Sequence, residues 1–178
     1  TENELGTHII IEGSKVKLQE SCSCSDGTSI AIKNLFFNVP ARRNFLKSDK
    51  VETRHIVEQF SRIALSNHDV SMSLYLNDLE HFHLEKSNKR QRIVNVTGSK
   101  SNQKLVPIEE DTTLINLSGF IGKPEFCKRT RGEQYLFVNN RFIKSAYLHH
   151  AIKKAYEGLI PDNYFPSYFL FLDIDPKL

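Results

Sequence analysis

The stretch that most constrains this chain covers residues 27–46 and reads G-T-S-I-A-I-K-N-L-F-F-N-V-P-A-R-R-N-F-L. Ile30 and Ile32 alternate with other residues, which predicts a strand over residues 28–34 with both side chains on one face. Pro40 disfavours helical backbone in the residue before it, so the extended segment should end there. The residues after the proline predict a short helix that carries two arginines. The stretch therefore imposes the order strand, turn, helix.

Two strands are predicted before this stretch. Residues 6–12 are rich in β-branched side chains, and residues 15–21 alternate between apolar and polar side chains. The Gly13-Ser14 pair between them predicts a hairpin turn. Small and polar residues over 22–27 then form a loop that leads into the strand at residue 28.

A long helix and a second hairpin are predicted next. Asp49 can cap a helix that ends near Asn67, with Glu52 as the reciprocal capping residue. Helical spacing defines one apolar face of this helix, made of Ile56, Val57, Phe60, Ile63 and Ala64. Strands over 69–76 and 79–85 follow, joined by a tight turn at Asn77-Asp78.

The polar run over residues 86–90, K-S-N-K-R, is the only one long enough to be a domain linker. We therefore predict one domain over residues 1–86 and a second over residues 87–178. The length of 178 residues suits one ordinary domain or two small ones.

The second domain is predicted to be a sheet with one long helix. Strands are expected over 104–109, 112–121 and 134–143, with a bend at Asn139-Asn140, after a short helix over 90–96. Ser145 caps a helix that Gly158 stops. A nearly continuous apolar strand over 167–174 should be central in its sheet. The whole chain is thus α+β, with two antiparallel or mixed sheets, each covered by one long helix.

The composition is that of a globular protein, with 39% apolar and 25% charged residues. No run of 18 apolar residues and no secretory signal occurs, so we expect no membrane association. The first residue is not methionine, which suggests a piece of a longer protein. A net charge of +3 says little about partners, so the placement of the cations matters more.

The three cysteines have no disulfide-framework spacing, and we expect a reduced, cytoplasmic protein. Cys22 and Cys24 could form half of a metal site, with His81 and His83 as the other half. Each pair alternates along a predicted strand and so shares a face. Ordinary strand faces explain both pairs equally simply, because neither has the usual ligand spacing. We therefore predict no metal site.

The 27–46 stretch resembles the signature G-T-x-[IV]-x-[IV]-x-x-L-F-x-N-x-P-A-R-x-x-F-L of the MutL family of DNA mismatch-repair ATPases. Three further stretches resemble that family in the same order: Q-Y-L-F-V-N-N-R-F-I-K over 134–144, A-I-K-K-A-Y over 151–156 and L-D-I-D-P-K over 172–177. Asn140 stands where the family usually has glycine, and both residues suit a tight turn.

The resemblance implies the end of a GHKL-type ATPase α/β sandwich, followed by a second domain with a ribosomal-protein-like βαβ fold. It also implies that Gly27 and Thr28 belong to the nucleotide site, with the threonine hydroxyl helping to hold the adenine. Gly6-Thr7 imitates this pair, but it lacks the adjoining L-F-F-N-V-P-A-R-R. ATP and Mg are expected in the intact protein. The family's catalytic acid, D-x-G-x-G segment, phosphate lid and terminal lysine do not occur here, so we expect this chain alone to bind no nucleotide and to be inactive.

The cations of the second domain are the other candidate site. Arg129 and Arg131 share one loop, while Arg141 and Lys144 flank a strand end. Such clustering predicts a surface that tracks DNA phosphates, although a solvated charged surface is the simpler alternative. Two other groups of cationic residues occur in the sequence. One surrounds the linker (Lys86, Lys89, Arg90, Arg92), and the other, for which we prefer a structural role, is Arg42, Arg43 and Lys47.

The resemblance implies a protein that couples mismatch recognition to strand incision through ATP binding and hydrolysis. Its expected partners are DNA without sequence preference, a mismatch-recognition protein of the MutS type and a second copy of itself. The alternative is a stand-alone nucleic-acid-binding module with no ATPase parent.

Overall fold

The computed structural model describes residues 5–175. The strands are β1 (Gly6–Glu12), β2 (Lys15–Cys22), β3 (Met72–Leu76), β4 (Leu79–Leu84), β5 (Leu105–Asp111), β6 (Ile115–Gly122), β7 (Gln134–Val138), β8 (Arg141–Phe142) and β9 (Tyr168–Ile174). The helices are α1 (Pro40–Arg43), α2 (Asp49–Ser66), α3 (Lys89–Thr97) and α4 (Ala146–Ala155). The α+β class predicted from the sequence is confirmed.

The chain divides into two compact units, the first ending at Glu52 and the second beginning at Thr53. This division lies in the first turn of α2. The domain boundary predicted between residues 86 and 87 is a statement about the family's domains and stays a prediction. Residues on both sides of it belong to the second unit.

The first unit consists of the β1–β2 hairpin, an irregular segment and α1. Gly13 and Ser14 have φ values of 55° and 67°, which confirms the predicted turn. Pro40 occupies the first turn of α1, where a missing N–H costs nothing. None of the described residues up to Glu52 is buried.

The strand predicted over residues 28–34 is wrong, since residues 28–33 adopt no regular structure. A strand is stabilised by backbone hydrogen bonds to a neighbour, and no described strand pairs with this segment. Ile30 and Ile32 are 80% and 78% exposed. The apolar alternation is present in the sequence, but no element of the described chain packs on the side chains of Ile30 and Ile32.

Helix α2 buries a face that overlaps the predicted one in part, since Ala64 is buried as predicted. Ala64, Leu65 and Ser61 are buried, whereas Ile56 and Ile63 are 51% and 55% exposed. The Ser61 hydroxyl donates to the Val57 carbonyl (2.8 Å), and this bond lets a polar side chain occupy the buried face. The spacing of apolar residues alone does not predict that a serine occupies the buried face.

The β3–β4 hairpin turns at Asn77-Asp78, as predicted. Both residues have positive φ values, 49° and 64°, which asparagine and aspartate tolerate better than most residues. Phe82 of β4 stacks on Phe60 of α2 with ring centroids 5.4 Å apart.

The second unit is organised by a five-stranded sheet in the order β5-β6-β9-β7-β8. All neighbouring pairs are antiparallel except β7 and β9, which are parallel and joined through α4. The prediction that the last strand is central is confirmed. The turn before β8 is formed by Asn139 and Asn140, with φ values of 47° and 61°, also as predicted.

Both faces of this sheet are covered. On one face Phe137, Phe169 and Phe171 pack with Leu65 of α2 and Ile93 of α3. On the other face Leu136, Tyr168 and Leu170 are covered by Leu148 and Ile152 of α4. Gly119 of β6 has a φ of 144°, and a side chain there would collide with the Phe169 carbonyl.

Arg92 of α3 is fully buried, which corrects its interpretation as a linker cation. Its Nη2 donates to the carbonyls of His68, Val70 and Glu85 at 2.7–3.0 Å. Burial lowers the pKa of the guanidinium, and the nearby Asp69 partly opposes this effect. Arg92 therefore ties the two ends of the β3–β4 hairpin region to α3.

Candidate nucleic-acid interface

The loop before β7 is fixed to the segment before β9 by a short backbone bridge. The Lys128 N–H donates to the Phe165 carbonyl (3.2 Å), and the Phe165 N–H donates to the Lys128 carbonyl (2.7 Å). The next loop residues are therefore held beside the aromatic pair Tyr164 and Phe165.

Three cations lie over these two rings. The Arg129 guanidinium is 5.8 Å from the Tyr164 ring centroid, and the Arg131 guanidinium is 5.2 Å from that of Phe165. The Lys153 ammonium of α4 is 5.1 Å from the same Phe165 centroid. We call Arg129, Arg131, Lys153, Tyr164 and Phe165 the Phe165 patch. Cation–π contacts of this kind restrain arginine and lysine heads while leaving donors exposed.

Hydrogen bonds and one ion pair set the charge balance around the patch. The Lys153 ammonium donates to the Asp162 carbonyl (2.7 Å), which holds it next to Phe165. Lys128 and Glu133 form an ion pair at 3.8 Å, so Glu133 partly compensates Lys128. Among residues 5–175, neither Arg129 nor Arg131 forms an ion pair with a carboxylate. The two arginines thus supply the uncompensated charge of the loop.

His149 of α4 lies next to the Phe165 ring, with centroids 6.3 Å apart. Its Nδ1 is 3.2 Å from the Tyr168 hydroxyl, while its Nε2 is buried and has no hydrogen-bond partner among the described residues. Burial lowers the pKa of the imidazole, and the charges of Arg131, Lys153 and His150 lower it further.

Arg141 and Lys144 lie elsewhere on the sheet. Arg141 is opposite Val138 at the far end of β7, whereas Arg129 and Arg131 precede Gln134 at its beginning. Both Arg141 and Lys144 are exposed. Arg141 is the first residue of β8, and Lys144 lies two residues beyond its end. The four predicted DNA-binding residues therefore form two groups instead of one cluster.

Two other linker cations are engaged inside the second unit. The Lys89 ammonium donates to the Ser118 hydroxyl (3.0 Å) and lies over Phe171. Arg90 donates to the side chain and the carbonyl of Asn102, both at 2.8 Å. With Arg92 buried, the linker group is chiefly structural.

The predicted nucleotide residues lie in the first unit. Gly27 has a φ of 130°, a conformation that favours glycine, and Thr28 is exposed in the irregular segment that follows. Arg42, Arg43 and Lys47 are exposed as well.

The two halves of the metal site that was considered belong to different units. Cys22 and Cys24 are in the first unit, while His83 in the second contacts the Ser73 hydroxyl at 3.1 Å. Residues 5–175 contain no group of three or more histidine, cysteine or acidic side chains close enough together to bind a metal ion. Burial raises the pKa of the Cys22 thiol, with a smaller contribution from Cys24.

Comparison with known proteins decides the family. A family model described as "DNA mismatch repair protein, C-terminal domain" matches residues 93–178. The chain is 59% identical to the DNA mismatch repair protein MutL of Flavobacterium psychrophilum over 175 residues. It is 57% identical to the MutL protein of Christiangramia forsetii over 178 residues. The chain belongs to the MutL family.

The alignments cover 98% and 99% of the chain but only 28% and 29% of these two MutL proteins. A solved structure, the Aquifex aeolicus MutL ATPase domain complexed with ADP, matches with a TM-score of 0.76 and 26% identity. That match covers 98% of the chain and 64% of the Aquifex chain. A second Aquifex MutL ATPase domain, carrying a K252N mutation, gives a TM-score of 0.73 at 23% identity and supports the fold alone. No helix in the described part of this MutL-family chain is both long and apolar enough to cross a bilayer.

Lys153 and His149 were not among the candidate residues predicted from the sequence. Lys153 follows the apolar residues of α4 that contact the sheet, and the sequence shows only that it is exposed on the helix. Its contact with Phe165, twelve residues later, depends on how the chain returns toward β9.

Proposed function

We propose that this chain is part of a MutL-type mismatch-repair protein that couples ATP binding and hydrolysis to strand incision after mismatch recognition. Membership of the MutL family supports this over a stand-alone nucleic-acid-binding module. The Aquifex structure complexed with ADP supports nucleotide binding by the intact protein. Mg is the ion that we propose to accompany the nucleotide. A mismatch-recognition protein of the MutS type, a second copy of the protein and DNA are the proposed partners, and the cytoplasm is the proposed location.

We propose that the second domain, residues 87–178 within the second unit, binds DNA without sequence preference. The Phe165 patch is the observation that carries this role. Arginines held over aromatic rings present donors to a phosphate with less loss of side-chain freedom than arginines free in solvent. Arg141 and Lys144 at the other end of β7 would extend the same phosphate contacts. Cations at both ends of β7 suit an extended polyanion better than a compact anion.

The lack of sequence preference has a structural reason. Helix α4 packs on the sheet through Leu148 and Ile152, so the proposed contacts with DNA come mainly from the arginines outside this helix. Phosphate contacts position a protein on DNA but carry no sequence information.

Charge reversal tests the role of each cationic group. Arg129→Glu/Arg131→Glu and Arg141→Glu/Lys144→Glu should each weaken binding to a short duplex by at least tenfold in fluorescence anisotropy. Arg42→Glu/Arg43→Glu, which reverses the same number of charges in the first unit, is the matched control and should change affinity by less than threefold. Two unrelated duplexes should give equal results. If the control weakens binding as much as the other two, net charge alone explains binding and the proposed sites are wrong.

The nucleotide part of the proposal concerns Gly27 and Thr28. Thr28→Val keeps the β-branched shape but removes the hydroxyl, so a polar partner would be left unpaired. In the intact protein we expect nucleotide binding to weaken by about 1–3 kcal/mol. Thr112→Val, a hydroxyl lost from the second unit, is the control. Unchanged nucleotide affinity in a folded Thr28→Val protein would remove Thr28 from the site.

A further inference from the structure

We propose that His149 takes up a proton when DNA phosphates engage Arg131 and Lys153, so that DNA binding at the Phe165 patch strengthens as the pH falls. This inference rests on the proposed DNA-binding function and adds a regulatory residue to it.

The geometry places His149 beside the ring over which the cations lie, with its Nε2 shielded from solvent. The His149 and Phe165 ring centroids are 6.3 Å apart, and the Arg131 guanidinium and the Lys153 ammonium lie 5.2 and 5.1 Å from the Phe165 centroid. The buried Nε2 has no partner among the described residues. A proton added to the imidazole therefore lies in the same cluster as both cations, and their positive charges oppose it.

The charged and titratable groups around the imidazole come from three directions. The loop before β7 contributes Arg131, and α4 contributes Lys153 and His150. Strand β9 contributes the Tyr168 hydroxyl, which is neutral at physiological pH because burial raises its pKa. Burial lowers the pKa of the imidazole most, and the positive charges that face His149 lower it further in the free protein.

Bound phosphate reverses that balance. A phosphate that pairs with Arg131 and Lys153 cancels the repulsion that opposes protonation, so the pKa of His149 rises in the complex. A group with a higher pKa in the bound state takes up a proton on binding, and the affinity must increase as the pH falls between the two pKa values. One linked proton changes the dissociation constant by at most about tenfold per pH unit.

The direct test is an NMR titration of the His149 imidazole in the wild-type chain, with and without a short DNA duplex at low salt. We expect the duplex to raise the His149 pKa by at least half a unit. In Arg131→Gln/Lys153→Gln, the pKa should already be higher without DNA, and the duplex should no longer change it.

The second measurement is the anisotropy affinity from pH 8 to pH 5.5 for wild type, His149→Gln and His55→Gln. His55 is an exposed histidine of α2 and serves as the matched control. Wild type and His55→Gln should gain at least threefold more affinity over this range than His149→Gln.

The outcomes separate the inference from the function on which it rests. Wild type that binds DNA with an unchanged His149 pKa overturns the inference and leaves the proposed function standing. No binding at any pH in low salt overturns both. A pH dependence that His149→Gln retains in full also overturns the inference, because another group then supplies the proton.

Discussion

The two units of the chain differ in how specific their sequence motifs are and in how well their side chains are buried. The first unit contains the stretch most specific to the family, yet none of its described residues is buried. The second unit has less distinctive sequence but encloses Phe169, Phe137 and Leu65, each at most 1% exposed. A family-specific motif therefore does not imply that its segment forms a hydrophobic core of its own. The apolar pattern around Ile30 and Ile32 needs a surface to cover it, whereas the five-stranded sheet supplies its own.

The largest expected contrast is between apolar side chains of the two units. Phe169→Ala removes a ring with 0% exposure from the core and should lower the free energy of unfolding by about 3–5 kcal/mol. Ile32→Ala removes a side chain that is 78% exposed and should change it by less than about 0.5 kcal/mol. Urea unfolding followed by far-UV circular dichroism measures both, since the chain has no tryptophan. A loss of several kcal/mol in Ile32→Ala would show that the first unit is packed after all.

A smaller contrast is expected between arginines. Arg92→Met keeps the apolar stem but removes the donor shared by three carbonyls, so we expect a loss of about 2 kcal/mol. Arg42→Met, at an exposed position in α1, is the matched control and should be neutral within about 0.5 kcal/mol. Equal stabilities for the two variants in the same urea experiment would mean that the Arg92 contacts do not hold the hairpin to α3.

The smallest expected effect concerns Tyr156, whose hydroxyl donates to the Gly122 carbonyl (2.6 Å). Tyr156→Phe should cost about 1 kcal/mol at neutral pH, where this bond is intact. Burial, with a smaller contribution from Cys127, raises the pKa of Tyr156 to about 12. The pKa is thus raised above the unfolded value of about 10, so the tyrosine stabilises fully below pH 10 and loses this contribution as the pH rises toward 12.

Unfolding measured between pH 9 and pH 11.5 tests the sign of this effect. The wild-type free energy of unfolding should fall more steeply with pH than that of Tyr156→Phe, and the two curves should converge. Parallel curves would show that Tyr156 does not carry the alkaline dependence.

Local chemistry made much of the second unit predictable. Asn77-Asp78 and Asn139-Asn140 are suited to positive φ, and both turns occur where predicted. Ser145 caps α4 as expected, with its hydroxyl accepting from the Leu148 N–H (3.3 Å). Each of these features depends on residues close together in the chain.

What could not be predicted depends on distant partners. The prediction of a strand over residues 28–34 is wrong because an apolar alternation does not show whether a neighbouring strand exists. The buried face of α2 was displaced because Ser61 satisfies its hydroxyl within the helix. The Phe165 patch combines Arg131, Lys153 and Phe165, which the sheet and α4 bring together from separate segments. Sequence clustering alone grouped Arg131 with Arg141, and the two lie at opposite ends of β7.

The salt dependence of DNA affinity tests the central claim, that cations of the second unit contact phosphates and those of the first unit do not. Each phosphate contact contributes close to one unit to the slope of log affinity against log salt. Arg129→Gln/Arg131→Gln should therefore reduce the slope by about two units, while Arg42→Gln/Arg43→Gln should leave it unchanged. A slope that is unaltered in the first variant, or reduced equally in both, would contradict the claim.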